Sequence, residues 1–150
     1  MIPFQAAVKF VLQKEGGYVN SPNDPGGETN MGISKKQYPE EDIKNLTLAR
    51  AIELYKSDYW DANSLDDMDF PLCICAFDAY VQHKPTTVQT LLDASNGDWV
   101  TFIAKRISYY MLLINKNPAL RVFQRGWVNR MVDLKKYIEI LLQDENPDSV

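Results

Sequence analysis

The apolar residues at the start of the chain recur at helical spacing. Those between Pro3 and Lys14 fall on one face of a predicted helix, which should stop at Gly16-Gly17 and leave Glu15 at its end. Residues 16–34 are rich in glycine, proline and short polar side chains, the composition of turns and hairpins. We therefore expect a short β-ribbon directly after the first helix.

The same apolar periodicity predicts five further helices downstream. Thr47 and Asp98 are suitable N-caps, and prolines stand at several helix starts. The expected fold class is mainly α, with one small irregular or β-hairpin lobe after the first helix. The further helices are predicted from Thr47 to about Trp60, from Pro71 towards His83, from Pro85 to Asn96, from Trp99 to about Asn115, and from Asn117, with a bend near Gly126, to about Leu142.

Length and composition favour one domain. A chain of 150 residues with 45% hydrophobic residues can build one core, so we expect a single domain over residues 1–143 and a polar tail over 144–150. No apolar run is long enough to span a bilayer, and no signal peptide is recognisable. Cys73 and Cys75 lie in an apolar stretch at a spacing that suits neither a disulfide nor a zinc site, so buried free thiols are expected.

Charge is distributed unevenly along the chain. The net charge is −4, yet residues 105–136 contain eight Lys or Arg and only one acid, Asp133, which gives this stretch +7. Such a stretch either steers the protein to an anionic polymer or solvates the outer faces of two helices. The sequence leaves both interpretations open.

The residues between Glu15 and Ile33 concentrate groups that suit glycosidic cleavage. That reaction needs a carboxylic acid that keeps its proton near neutral pH, and Glu15, at the end of an apolar helix, is a suitable donor. Asp24 follows across a tight turn, and a hairpin folding back on the helix would leave the two carboxyl groups about 6.5–9.5 Å apart, as inversion requires. Thr29 is then able to hold the attacking water. Each acid alone would be interpreted as capping a loop, but their concentration here favours chemistry.

The order of these residues resembles a known signature. Glu15-Gly-Gly-Tyr, Asp24-Pro-Gly-Gly, Thr29-Asn and Gly32-Ile are similar to the motif of glycoside hydrolase family 108, the phage- and bacterium-encoded N-acetylmuramidases. The resemblance extends over nearly the whole chain. It continues at Tyr55 with Tyr59-Trp60-Asp61, at Phe77-Asp78, at Phe123 with Gly126-Trp127, and at Arg130.

The resemblance implies a lysozyme-like helical domain that cleaves the β-1,4 bond between N-acetylmuramic acid and N-acetylglucosamine. Glu15 matches the catalytic acid, with Asp24 and Thr29 completing the catalytic set. Residues from about 91 to 143 resemble the family's C-terminal peptidoglycan-binding part, which we expect to pack into the same domain. The chain departs from the family pattern at Ser21 and Gln82. The expected substrate contacts are Tyr18, Asn20, Asn30 and Gln82.

Other chemically suggestive residues have simpler interpretations. Tyr59, Trp60 and Trp127 are able to stack on sugars, although Tyr59 and Trp127 suit mainly structural roles. The single histidine, His83, lacks a nucleophile partner and is expected on the surface at a helix end. Asp78, on an apolar helix face, is expected to be buried and paired with Arg130 or Arg50. Asp66, Asp67 and Asp69 lack the pattern of a calcium loop, so no metal or other cofactor is expected.

Several functions remain open at this level. The first is a muramidase, made in the cytoplasm without a signal and acting on the cell wall after release, by a holin in phage lysis or during wall remodelling for secretion. A lytic transglycosylase using Glu15 alone, a peptidoglycan-binding protein without turnover, and a helical nucleic-acid-binding protein are the alternatives. The last is disfavoured, because the basic stretch has no recognised motif and the chain is acidic. Peptidoglycan strands are thus the expected partner of a monomer that makes no stable membrane insertion.

Overall fold

The structure is a computed structural model that describes residues 2–145. It divides into two compact units between Asp67 and Met68. The described residues form six α-helices, one two-stranded antiparallel sheet and several short 3-10 or π segments, so the mainly α prediction with a small hairpin lobe is confirmed. None of the helices in this part of the chain combines the length and hydrophobicity needed to cross a membrane.

The first unit begins with helix α1 (Pro3–Lys14), which ends where the sequence predicts. Strands β1 (Thr29–Asn30) and β2 (Ile33–Ser34) form the expected ribbon, with Thr29 opposite Ser34 and Asn30 opposite Ile33. Helix α2 (Leu48–Tyr55) follows, with the Thr47 hydroxyl accepting from the backbone N–H of Arg50 as its N-cap. The remaining short segments are Lys56–Trp60 (π), Asp61–Asn63 (3-10) and Leu65–Asp67 (3-10).

Trp60 is a core residue of the first unit. Its side chain has no exposed surface, meets the ring of Phe4 edge-on at 5.5 Å and donates from Nε1 to Asp66 Oδ1 at 2.8 Å. The idea that Trp60 stacks on a sugar is therefore wrong, because no part of its ring reaches the surface. Its indole fixes the acidic turns after α2 to α1.

The second unit contains four helices: α3 (Leu72–Gln82), α4 (Pro85–Ser95), α5 (Trp99–Lys116) and α6 (Gln124–Glu145). Asp98 caps α5 as predicted, accepting from the backbone N–H of Thr101 at 2.7 Å. The last helix differs from expectation, because residues Pro118–Phe123 form a 3-10 segment and α6 continues past Leu142 to Glu145. The rest of the predicted polar tail, residues 146–150, lies outside the described residues.

A buried ion cluster joins three helices of the second unit. Asp78 is 1% exposed and accepts from Arg106 Nη1 at 2.6 Å and from Arg130 Nη2 at 2.7 Å. Burial opposes ionisation, but the two guanidinium groups hold the pKa of Asp78 below its usual value. The predicted Arg130 partner is confirmed, whereas Arg50 is the wrong alternative because it pairs with Glu41 and Glu53.

His83 lies at the end of α3 but not on the surface. Its ring is half-buried, with Nε2 3.2 Å from both Tyr110 Oη and Arg106 Nε. Burial, aided by the charge of Arg106, lowers the pKa of His83 to about 4. The surface prediction was wrong because the residues that cover this ring come from α5, more than twenty positions away in sequence.

Both cysteines are free and buried in α3, as predicted. Burial raises the pKa of the Cys75 thiol. Trp127 of α6 also has the expected structural role, because its ring stacks on Tyr110 at a centroid distance of 4.7 Å. These side chains contribute to packing within the second unit.

Candidate active site

Glu15 is the first residue after α1. Its backbone is extended (φ −84°, ψ 144°), and its N–H donates to the carbonyl of Val11 at 3.0 Å, closing the last turn of the helix. Val11 is fully buried, so this bond ties Glu15 to a fixed part of the core. Glu15 itself is half-buried.

The turn of the β-hairpin lies against the Glu15 side chain. Met31 and Gly32 connect the two strands with positive φ values of 50° and 79°, the pattern of a type I′ turn. A Cβ atom on Gly32 would lie 2.8 Å from Glu15 Cγ and 2.3 Å from Tyr55 Oη. Only glycine therefore fits here, for its backbone conformation and for the close approach of two side chains.

Two hydrogen bonds hold this turn in place. The N–H of Met31 donates to the carbonyl of Gly16 at 3.0 Å, and Tyr55 Oη donates to the carbonyl of Met31 at 2.8 Å. Tyr55 is 1% exposed, so its hydroxyl comes from a rigid position on α2. The wall against which the Glu15 side chain packs is thus built by the segment after α1, the hairpin and α2 together.

Asp24 stabilises its own turn. Its Oδ1 accepts from the N–H of Gly26 at 2.8 Å, and its carbonyl accepts from the N–H of Gly27 at 3.0 Å. The side chain is exposed, and among the described residues no donor contacts Oδ2. Asp24 thus combines the role of a turn cap with one carboxylate oxygen that faces solvent.

Thr29 and Asn30 occupy β1. Thr29 exchanges two backbone hydrogen bonds with Val19, at 2.8 and 2.9 Å, and its side chain is half-buried. Asn30 Nδ2 donates to the carbonyl of the fully buried Ile43 at 3.0 Å. The Asn30 amide therefore fastens the hairpin to the following loop, a structural use that the sequence does not reveal.

Tyr18 and Asn20 lie on the outer segment of this lobe. Tyr18 is 38% exposed, and its hydroxyl donates to Glu28 Oε1 at 3.0 Å. Desolvation and the neighbouring Glu28 carboxylate raise the pKa of Tyr18, while the nearby Asn20 side chain opposes the shift. Tyr18 is thus anchored through its hydroxyl and remains partly exposed to solvent. Gln82, the remaining predicted contact, is the exposed last residue of α3 in the second unit.

Tyr59 lies beside Tyr55, and three of the polar residues around these two rings, Gln37, Tyr38 and Asp58, were not predicted from the sequence. The rings of Tyr55 and Tyr59 are 5.7 Å apart, and Gln37 Nε2 donates to Tyr59 Oη at 2.6 Å. Tyr38 donates to Asp58 Oδ2 at 2.7 Å. The spacing of Tyr55 and Tyr59 on one helical face was the available signal, but their partners come from the loop after the hairpin.

The described residues contain no group of three or more His, Cys, Asp or Glu side chains able to hold a metal ion. The side chains that this region does offer are carboxylic acids, hydroxyls and amides. A half-buried glutamate against a rigid wall, with a second carboxylate on a neighbouring turn, suits acid–base cleavage of a glycosidic bond.

Comparison with known proteins identifies the fold and the family of this chain. A solved structure of Brucella abortus SagA matches with a TM-score of 0.71 and 22% sequence identity, covering 91% of this chain and 94% of that one, and supports the fold. No curated protein matches the chain significantly. The family model described as glycosyl hydrolase 108 matches residues 8–83, just over half of the chain, a range that contains every predicted site residue. The chain therefore belongs to the glycosyl hydrolase 108 family and is a glycoside hydrolase.

Proposed function

We propose that this glycoside hydrolase cleaves the β-1,4 bond between N-acetylmuramic acid and N-acetylglucosamine in bacterial peptidoglycan, with Glu15 as the general acid. The observation that carries the proposal is the fit of Glu15 against Gly32, in a space that any other residue at position 32 would fill. A donor held in this way reaches the glycosidic oxygen without having to be ordered first, which lowers the barrier to proton transfer. Family membership supports peptidoglycan as the substrate class.

In the proposed reaction Glu15 protonates the oxygen that leaves C1 of the muramic acid residue, and the C1–O bond breaks. Water then attacks C1 and loses a proton to a base. The free Oδ2 of Asp24 is the candidate base, and the Thr29 hydroxyl is the candidate group for orienting that water. Tyr18, Asn20, Asn30 and Gln82 are the proposed substrate contacts; of these, the exposed ring of Tyr18 suits stacking on a sugar.

Replacement of the acid tests the first step. Glu15→Gln keeps the size of the side chain but removes the proton that it donates, so clearing of a purified peptidoglycan suspension should slow by about 100-fold or more. Glu40→Gln is the matched control, because Glu40 is exposed and belongs to the same unit. Equal rates for Glu15→Gln and the wild type would reject Glu15 as the acid.

A pair of substitutions separates the two roles of Asp24. Asp24→Asn keeps an oxygen that accepts from the N–H of Gly26 but removes the carboxylate, whereas Asp24→Ala removes both. If Asp24 activates water, both variants lose activity and only the alanine variant also loses stability. If Asp24 is only a turn cap, the asparagine variant hydrolyses at the wild-type rate.

Because Asp24 forms a hydrogen bond within its own turn, a lytic transglycosylase that does not use Asp24 is the alternative to test. A lytic transglycosylase needs no base for water, because the muramic acid residue closes on itself to form an anhydro-sugar. Mass spectrometry of the released fragments distinguishes anhydro ends from the hydrated reducing ends expected here. A protein that binds peptidoglycan but releases no fragment would indicate the binding function without turnover.

The proposed setting follows from the same activity. A wall hydrolase of this kind serves phage lysis, with release by a holin, or remodelling of the wall for secretion. In either case it is made in the cytoplasm and acts as a monomer on the wall after release. Expression with and without a co-expressed holin, followed by culture lysis, tests the first role.

A further inference from the structure

A basic pocket lies at the start of α6, in the second unit and outside the site described above. We name it the arginine pocket and define it by its five lining residues. Its volume is about 340 Å³. The lining residues are Arg121, Gln124, Arg125, Val128 and Asn129.

The arginines of this region fall into two groups. Arg106 and Arg130 are engaged with the buried carboxylate of Asp78. Arg121 and Arg125 are exposed, and within residues 2–145 no acidic side chain forms an ion pair with either. The positive charge of the pocket is thus not neutralised by the described part of the chain.

Three features of this arrangement favour an anionic ligand. Arg121, in the 3-10 segment before α6, and Arg125, in α6, place two like charges in the lining of one pocket. Arg125 lies in the first turn of α6, where the helix dipole favours a negative charge. That first turn contains no acid. An anion in the pocket would be attracted by both guanidinium groups and by the N-terminus of α6.

The pocket also offers the donors that an anionic oxygen group requires. Each guanidinium presents a planar fork of N–H groups that matches the two oxygens of a carboxylate or phosphate. Gln124 and Asn129 add side-chain amides to the lining, and Val128 adds an apolar side chain. The donor set lacks any acidic group, so cations are disfavoured.

We propose that the arginine pocket binds anionic oxygen groups of the wall polymer, the peptide carboxylates or the phosphates of attached teichoic chains. The choice of polymer rests on the proposed function, whereas anion binding follows from the pocket itself. Val122 and Phe123, which lie between Arg121 and Gln124 in sequence, are 79% and 52% exposed, and the Phe123 ring stacks on Trp127 at 5.7 Å. An aromatic surface next to the charged donors suits a saccharide that bears acidic groups. The pocket would keep the enzyme on the polymer between cleavage events.

Cosedimentation with insoluble peptidoglycan tests the proposal with the full chain. Arg121→Gln/Arg125→Gln should weaken binding about tenfold at low salt and reduce its dependence on ionic strength. The control is Lys105→Gln/Lys136→Gln, which removes the same charge from exposed lysines outside the pocket and should bind like the wild type. Equal losses in the two double variants would show a non-specific charge effect and overturn the proposal.

Three substrates identify the anion. Intact wall carries both groups, wall freed of phosphates carries carboxylates alone, and phosphate-free wall with amidated carboxylates carries neither. The wild type should bind intact wall better than the arginine variant does, and it should also bind phosphate-free wall better if carboxylates are the ligands. On the wall that carries neither group, the wild type and the variant should bind equally. An advantage that survives on the third material, or one that appears only with a DNA duplex, would refute an anionic wall group as the ligand.

Two further measurements keep the outcomes distinct. If the glutamine variant is unstable, Arg121→Lys/Arg125→Lys takes its place, because it keeps the positive charges but lacks the planar guanidinium N–H groups. Inorganic phosphate should shift the Arg Nε–H NMR signals of the wild type alone. Fragment release is measured in parallel. Hydrolysis with unchanged binding in the arginine variant would reject only the pocket, whereas pocket-dependent binding without hydrolysis would reject only the proposed activity.

Discussion

Replacing Gly32 with alanine tests whether the close fit between the hairpin turn and Glu15 is needed for activity, separately from the stability of the hairpin. Position 32 has φ +79°, and an added methyl group would lie 2.3 Å from Tyr55 Oη and 2.8 Å from Glu15 Cγ. Position 27 has a similar φ of +71°, but there the nearest atom to an added methyl group is 3.9 Å away. Gly27→Ala is therefore a matched control that carries the backbone strain without the collision.

The two contributions have different sizes. A left-handed conformation costs an alanine about 1–2 kcal/mol relative to glycine, which should apply to both variants. Overpacking against two fixed side chains adds about 1–3 kcal/mol at position 32 alone. Tyr55 cannot move away without breaking its hydrogen bond to Met31, so Glu15 is the group expected to shift. A displacement of about 1 Å of a catalytic group lowers the rate by about 100-fold.

Thermal unfolding and peptidoglycan clearing measure these two effects. Gly27→Ala should lower the Tm by about 2–8 °C, since each kcal/mol shifts a chain of this size by about 2–4 °C, with activity largely retained. Gly32→Ala should lower the Tm further and abolish most of the activity. Adding Tyr55→Phe, which removes the closest atom, should recover part of the stability lost by Gly32→Ala. Full activity in Gly32→Ala, or equal behaviour of the two alanine variants, would refute the proposed fit between Glu15 and the turn.

Three further predictions concern the rest of the fold. Folding lowers the pKa of His83 from 6.5 to about 4, so as the pH falls the unfolded chain binds a proton before the folded chain does. The free energy of unfolding should therefore fall by about 2 kcal/mol from pH 6.5 to 4.5. This loss should vanish in His83→Gln. Asp78→Asn should cost about 3–5 kcal/mol in urea unfolding because it leaves two guanidinium groups unneutralised, while Asp67→Asn, at an exposed position, should change stability by less than about 0.5 kcal/mol. Asp98→Ala removes the N-cap of α5 and should cost about 1 kcal/mol by thermal unfolding; an unchanged Tm would mean that solvent replaces the cap.

Features governed by neighbours in sequence were predictable. The end of α1 at Glu15 follows from two glycines, and the caps at Thr47 and Asp98 follow from short polar side chains before apolar runs. The hairpin after α1 was expected from its glycine and polar content, although its turn at Met31–Gly32 was not specified. Local backbone preferences are encoded within a few residues, so a single sequence suffices for them.

Features that depend on distant residues were not predictable in the same way. Arg106 meets Asp78 across 28 positions, and the same arginine removes His83 from the surface. Trp60 carries the family-like motif, yet its burial depends on Phe4 from α1. For the candidate site, Glu15 was identified from its motif, but the wall formed by Gly32 and Tyr55 depends on tertiary packing that no periodicity encodes.

The two thiols of α3 determine how the protein tolerates a change of redox environment. Cys73 and Cys75 are sealed in the core, and burial disfavours the thiolate of Cys75, the form that reacts with oxidants or other thiols. The structure contains no bond between these two cysteines, so folding requires no oxidant, and cross-linking of two molecules through Cys73 or Cys75 should require the second unit to open. Thiol labelling should accordingly proceed only as fast as the second unit opens.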